Sequence, residues 1–160
     1  MIGLVILTHE QIGAELLKVA ALIRGDKTKC NFVPIEMNIK ADDLEKTTAD
    51  ALKEKTRDDL KEKISAYLTE KISAAVTAMD NGDGVLVLTD MLGGPPSEFS
   101  LSFLKDLKVK VIAGVNLPLL LHALELRDDS PKMTLEDLAD EVAKVGRESI
   151  SVPSKLIKKR

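Results

Sequence analysis

Ile2-Gly3-Leu4-Val5-Ile6-Leu7 opens the chain as an unbroken apolar run. A run that short, rich in branched residues and without polar alternation, predicts a strand buried on both faces, as in the interior of a parallel sheet. After Thr8-His9-Glu10, Ile12, Leu16, Leu17, Ala20 and Ile23 recur at helical spacing, and Gly25 sits where a helix-terminating glycine belongs. A second strand is predicted over 31–37, with Phe32, Val33, Ile35 and Met37 as its apolar residues and Pro34 marking it as an edge. Residues 41–79 read almost entirely as helix. Asp42 or Asp43 is the N-cap there, and Leu60, Ile64, Leu68, Ile72, Ala75, Val76 and Met79 form one stripe. The stripe lapses over the charged segment 53–59, which predicts an exposed helical overhang or a break.

Asn81-Gly82-Asp83-Gly84 is turn chemistry, and Val85-Leu86-Val87-Leu88-Thr89 is a second fully apolar strand ending in Asp90 and the loop 91–96. A helix over 97–107 (with Phe99, Phe103, Leu104 and Leu107 on one side), a strand over 109–115, a turn at 116–118 and a helix over 119–126 follow. Thr134 then caps an amphipathic helix bearing Leu135, Leu138, Val142 and Val145, with Asp137 as a short-armed capping-box partner. A C-terminal edge strand is predicted over 149–152, ahead of a basic tail at about 154–160. Strands alternating with helices predict an α/β fold: a doubly wound, mainly parallel open sheet with helices on both faces, in one domain over 1–160.

Composition narrows the chemistry. Apolar residues are 44% of the 160 and charged residues 31%, enough to bury a core. The 23 basic and 26 acidic side chains leave a charge of -3, which argues against a grip on nucleic acid or anionic lipid. Aromatics are only 2%, so base stacking has little to use. The single Cys30 closes no internal disulfide and reads as a small apolar residue. Two distant histidines give no metal-ligand spacing, and G-x-G-x-x-G, Walker A and serine-hydrolase elbow motifs are all missing. No metal and no cofactor is called for. No apolar run is long enough to span a membrane, and the N-terminal run lacks the features of a signal peptide, so a cytoplasmic protein is expected.

In a doubly wound sheet, function gathers at the carboxyl ends of the strands. Three strand ends carry polar groups: Thr8-His9-Glu10, Asp90 with Gly93-Gly94, and Asn116. Each has an ordinary structural explanation alone, as a cap or a turn. If the strands are neighbours, these groups converge, which singles out His9 and Asp90 without settling the reaction. Imidazole is a nucleophile near neutral pH if one nitrogen is bare and the other N–H is held by an acceptor, and Asp90 is the natural acceptor for His9. Gly93 and Gly94 are candidates to cradle an anion with backbone N–H groups, and Thr8, Glu10 and Asn116 are candidates for the rim. His122, inside an apolar helix, is read as a packed residue. A phosphoryl-accepting histidine fits best.

These motifs resemble a known family. Met1 to His9 with Ile12-Gly13 and Leu16-Leu17 is similar to the start of the mannose-family enzyme IIA of the phosphoenolpyruvate-dependent sugar phosphotransferase system. Residues 85–96 resemble its second motif and residues 111–118 its third, in the expected order. The resemblance implies that His9 takes a phosphoryl group from HPr and passes it to a IIB component, while Asp90 holds the other imidazole nitrogen. It also implies a homodimer that exchanges the strand at 149–152 between subunits, and association with a membrane IIC/IID complex without insertion. Two positions depart from the family pattern: Glu10 stands where a small residue, often glycine, is usual, and Pro95 replaces a residue that is often serine. Two further readings share the fold, a regulatory sensor of phosphorylation state and a binding module that no longer accepts phosphoryl groups. The phosphodonor module of dihydroxyacetone kinases is a relative that the Gly93-Gly94-Pro95-Pro96 loop resembles less.

Overall fold

The structure is a computed structural model, and it describes residues 1–25, 30–35, 57–93, 97 and 108–156. Strand β1 (Gly3–His9) leads through helix α1 (Ile12–Arg24) to β2 (Asn31–Ile35). Helix α2 (Arg57–Met79), β3 (Val85–Thr89), β4 (Val109–Ala113), α3 (Leu117–Asp129), α4 (Leu135–Glu148) and the helical turn α5 (Pro153–Leu156) follow. All pairings are parallel, in a four-stranded sheet of order β2-β1-β3-β4. The doubly wound α/β architecture predicted from the alternation is therefore the one observed.

The unbroken apolar runs are the two inner strands, and side-chain alternation sends their residues to opposite faces. Leu4, Ile6, Leu86 and Leu88 pack with Ala20 of α1, with Leu120 and Leu124 of α3, and with Leu138 and Val142 of α4. Val5, Leu7, Val85 and Val87 pack with Leu68, Ile72, Ala75 and Val76 of α2. Helices cover both faces, so neither face tolerates a polar alternate position. Pro34 lies on the edge strand β2, where its missing N–H costs no ladder bond on the open side.

Several expectations are corrected in detail. Residues 109–115 do not all form strand: β4 stops at Ala113, Gly114 turns at a φ of 98°, and the Gly114 and Val115 amides both donate to the Thr89 carbonyl, at 2.9 and 2.8 Å. The helix expected over 119–126 starts earlier, because the Asn116 side chain caps it, and continues to Asp129. The predicted capping by Thr134 is present: its hydroxyl accepts from the Asp137 amide at 3.1 Å and donates to the Asp137 carboxylate at 2.7 Å. Ile12 and Ile23, expected on the buried stripe of α1, are exposed with Val19 and Leu22, because Gly13, Leu16, Leu17 and Ala20 face the core instead.

The edge strand expected over 149–152 is not formed. The Ser149 and Ile150 amides close the end of α4 by donating to Val145 and Arg147 carbonyls, and Pro153 has no amide to offer a ladder. Ile150 and Val152 stand 81% and 51% exposed, paired with none of the four strands. The second-strand residues 36–37, the helix start over 41–56, the helix over 98–107 and the tail at 157–160 lie outside the described residues.

Candidate functional site

The sheet order reverses between β1 and β3, since β1 leads outward to β2 on one side while β3 and β4 extend on the other. That switch point is where a doubly wound sheet opens a crevice at its carboxyl end. The register pairs Leu7 with Thr89, which sets His9, the last residue of β1, beside Asp90, the first residue after β3. Residues 81 positions apart are thus brought together by one strand pairing.

Asp90 Oδ2 accepts from the His9 backbone N–H at 2.9 Å and meets His9 Nδ1 at 2.7 Å. Its Oδ1 accepts from the Met91 amide at 2.9 Å. Burial by itself would raise the Asp90 pKa, but the His9 amide, the His9 ring and the Met91 amide outweigh it and hold the carboxyl below its ordinary value. An ionised carboxylate only accepts, so the proton of the ring lies on Nδ1 and the lone pair on Nε2. The His9 and Asp90 side chains retain 22% and 12% exposure, enough contact with solvent for a substrate atom to reach the ring.

Helix α1 starts three residues beyond His9, so its positive N-terminal end serves the same end of the sheet. The Thr8 hydroxyl, fully buried, accepts from the Gly13 amide at 2.9 Å, which ties the first turn of α1 to β1. Thr8, a candidate for the rim, is therefore an anchor for the helix. Glu10 turns the chain between the two elements with a φ of 45°, and its amide donates to the Ile35 carbonyl at 3.2 Å. Asn116, the other rim candidate, is committed elsewhere. Its Oδ1 accepts from Leu119 N at 2.9 Å, while Nδ2 donates to Gly146 O at 3.0 Å and to Ser149 Oγ at 3.3 Å.

Gly93 is exposed with a φ of 80°, and a β-carbon there would meet nothing within 4 Å. Its left-handed backbone is thus what glycine supplies in this loop. Gly94 and Pro95 lie outside the described residues. The sequence did not signal that the His9 amide and ring would share one carboxylate oxygen, which only the strand pairing makes visible. Met91 and Leu92, next after Asp90 in the chain, are 54% and 72% exposed. Among the described residues no group of His, Cys, Asp and Glu side chains could hold a metal ion, and no helix is long and apolar enough to cross a membrane.

A family model described as PTS system fructose IIA component, EIIA-man, matches residues 60–143. The mannose-specific EIIAB component of the Escherichia coli K12 phosphotransferase system is 28% identical over 151 residues, covering 93% of this chain and 38% of that protein. The chain therefore spans well under half the length of that relative. The fructose-specific EIIA component of Bacillus subtilis 168 is 37% identical over 76 residues, which is 47% of this chain and 50% of that one. Among solved structures, the phosphotransferase system component EIIA from Streptococcus agalactiae superposes with a TM-score of 0.70 at 22% identity, covering 97% of this chain and 99% of the other. The mannose/sorbose-specific IIA subunit from Enterococcus faecalis gives 0.70 at 18% identity, covering 100% and 97%. At these identities the superpositions speak for the fold.

Proposed function

Because the chain belongs to the EIIA-man family of sugar phosphotransferase system components, we propose that it is a phosphocarrier that accepts a phosphoryl group on His9 from HPr and passes it to a IIB component. The observation that carries this reading is the 2.7 Å contact between His9 Nδ1 and Asp90 Oδ2, made while the His9 amide holds the same oxygen. Ring and backbone are locked to one carboxylate, and Nε2 is left as the nucleophile.

In the transfer, the Nε2 lone pair forms a bond to phosphorus as the donor's P–N bond breaks, and the donor nitrogen keeps the electron pair. No proton has to move. The His9 ring gains positive character as Nε2 bonds to phosphorus, and the Asp90 carboxylate across the ring stabilises it. Phosphoryl oxygens are stabilised by backbone dipoles, from the start of α1 and the glycine loop at 93–94. The reverse sequence delivers the group to IIB. Exposed Met91 and Leu92, with Ile12 at the start of α1, supply apolar surface beside the histidine for these protein partners. A cytoplasmic location, attachment to a membrane IIC/IID complex through IIB, and a homodimer that seats residues 149–152 on its partner belong to the same proposal.

The test is intact-mass analysis after incubation with phosphoenolpyruvate, enzyme I and HPr, comparing wild type with His9→Ala. One acid-labile phosphoryl group is expected on wild type and none on the variant. No gain on wild type, with cognate donors and a working control IIA, would overturn the reading in favour of a binding module.

A further inference from the structure

The apolar run of β3, Val85-Leu86-Val87-Leu88, ends in Thr89, where another valine would continue the pattern. Thr89 is fully buried, and its Oγ1 is shielded from solvent with no hydrogen-bond partner. The threonine that precedes His9 behaves differently: the Thr8 hydroxyl, equally buried, accepts from the Gly13 amide. A buried polar atom left unpaired costs its full desolvation, and valine has the same shape without that cost. The strand end does not need the hydroxyl either, since the Thr89 carbonyl fixes it by accepting from the Gly114 and Val115 amides. Register sets this side chain beside the nucleophile. Leu7 pairs with Thr89, and His9 lies two residues beyond Leu7 on β1. Side chains alternate along a strand, so His9 shares a face with Val5 and Leu7, and Thr89 shares that same face with Val85 and Val87. On its other side His9 pairs with Ile35, which belongs to the same buried layer. A strand spacing of about 4.8 Å and a rise of about 3.3 Å per residue put the Thr89 and His9 Cα atoms about 8 Å apart, a diagonal that an aromatic ring reaches across.

We propose that the Thr89 hydroxyl stabilises the charge that His9 carries once phosphorylated: a buried, unpaired dipole on the imidazole's own face of the sheet, it turns its oxygen toward the ring as the ring becomes cationic. The inference rests on the phosphocarrier reading. When Nε2 bonds to phosphorus the ring keeps its Nδ1 proton and becomes positive, and Asp90 Oδ2, engaged by both His9 N–H groups, is the first counter-charge. Thr89 adds to it from below the ring. A hydroxyl that nothing holds rotates to suit its surroundings, and a dipole screened from water acts more strongly than an exposed one. The hydroxyl is unpaired in the unphosphorylated protein and engaged in the phosphorylated one. Its contribution is therefore differential, favouring the phosphorylated state over the free histidine instead of both alike. The consequence is a larger share of phosphoryl groups drawn from the donor.

Thr89→Val keeps the shape and removes the hydroxyl, whereas Thr89→Ser keeps the hydroxyl and removes the methyl group. The experiment measures the equilibrium share of phosphoryl label between this protein and HPr, for wild type and both variants, together with the urea midpoint of each. The equilibrium constant for phosphorylation is expected to fall roughly 3- to 10-fold in Thr89→Val, the size of one net hydrogen bond, and to stay within about 2-fold of wild type in Thr89→Ser. The urea midpoint of Thr89→Val is expected to match or exceed that of wild type, because an unpaired hydroxyl leaves the core. Loss of label without loss of stability separates the charge effect from a structural one. Equal shares for wild type and Thr89→Val would overturn the inference, as would a fall in Thr89→Ser as large as that in Thr89→Val, since shape would then be what matters. A lower midpoint for Thr89→Val would show that the hydroxyl is paired within the fold, which overturns it too. If wild type takes no label at all while a control IIA does, the phosphocarrier reading fails and this inference falls with it.

Discussion

Asp90 concentrates the residue-scale chemistry, because one carboxylate receives the His9 amide, the His9 ring and the Met91 amide. Those donors hold its folded-state pKa below the ordinary value, against the burial that would raise it. The folded protein then binds this proton less readily than the unfolded chain does. The stability contributed is complete above the ordinary carboxylate value and is lost as pH falls through the lower folded value. Asp90→Asn keeps the size of the side chain but replaces an ionic acceptor with an amide whose NH₂ group can face Nδ1 and favour the wrong tautomer. Transfer to His9 should slow by about 10²- to 10⁴-fold in single-turnover phosphorylation, by analogy with loss of tautomer control in a catalytic triad. Urea midpoints should also fall less than in wild type as the pH drops below the ordinary carboxylate value, since the titrating group is gone. A variant that accepts phosphoryl groups at the wild-type rate would show that Asp90 does not govern the ring.

At the scale of elements, the position of α1 decides whether the site exists. A β-carbon on Gly13 would lie 2.6 Å from Ile6 Cγ2 and 2.6 Å from Phe32 Cδ2, so the helix approaches the sheet closely enough to exclude one. Alanine ordinarily stabilises a helix relative to glycine by about 1 kcal/mol. Here Gly13→Ala should destabilise by about 1 to 3 kcal/mol, because the helix must back away from β1 and β2 and stretch the Thr8–Gly13 bond. Chemical denaturation gives the sign directly, and a stabilised Gly13→Ala would refute the close packing. On the other side of the sheet order, Asn116 binds the start of α3 to the end of α4 with a single side chain. It supports the fold at the place where the sequence pattern suggested a site rim.

For the whole molecule, the proposed dimer has a physical handle in Ile150 and Val152, apolar residues 81% and 51% exposed just after α4. Sedimentation velocity is expected to give a dimer for wild type and a monomer for the Ile150→Asp, Val152→Asp double variant. Wild type that stays monomeric at tens of micromolar would remove the strand-exchange part of the proposal while leaving His9 chemistry untouched. The reversal of sheet order at β1 and β3 works at this same scale, since it turns two separate strand ends into one crevice.

The sequence by itself determined the inner strands, the layered α/β class and the pairing of His9 with Asp90 as candidates. Each rests on a strong local signal: a run apolar on both faces, or a polar group placed where such a run ends. The Thr134 cap was legible for the same reason, as a cap depends on residues only three apart. Tertiary structure alone decided the rest. Whether Ile12 and Ile23 are buried depends on which side of α1 meets the sheet, and that is set by the close contact at Gly13. Thr8 and Asn116 became anchors because their hydrogen-bonding capacity was taken up by helix ends. Residues 149–152 carry a strand-like pattern, but a strand forms only against another edge, and no strand of this chain's own sheet pairs with them. Glu10 owes its left-handed turn to a ladder bond to Ile35 and to a helix that begins two residues later, relations that composition and periodicity do not encode.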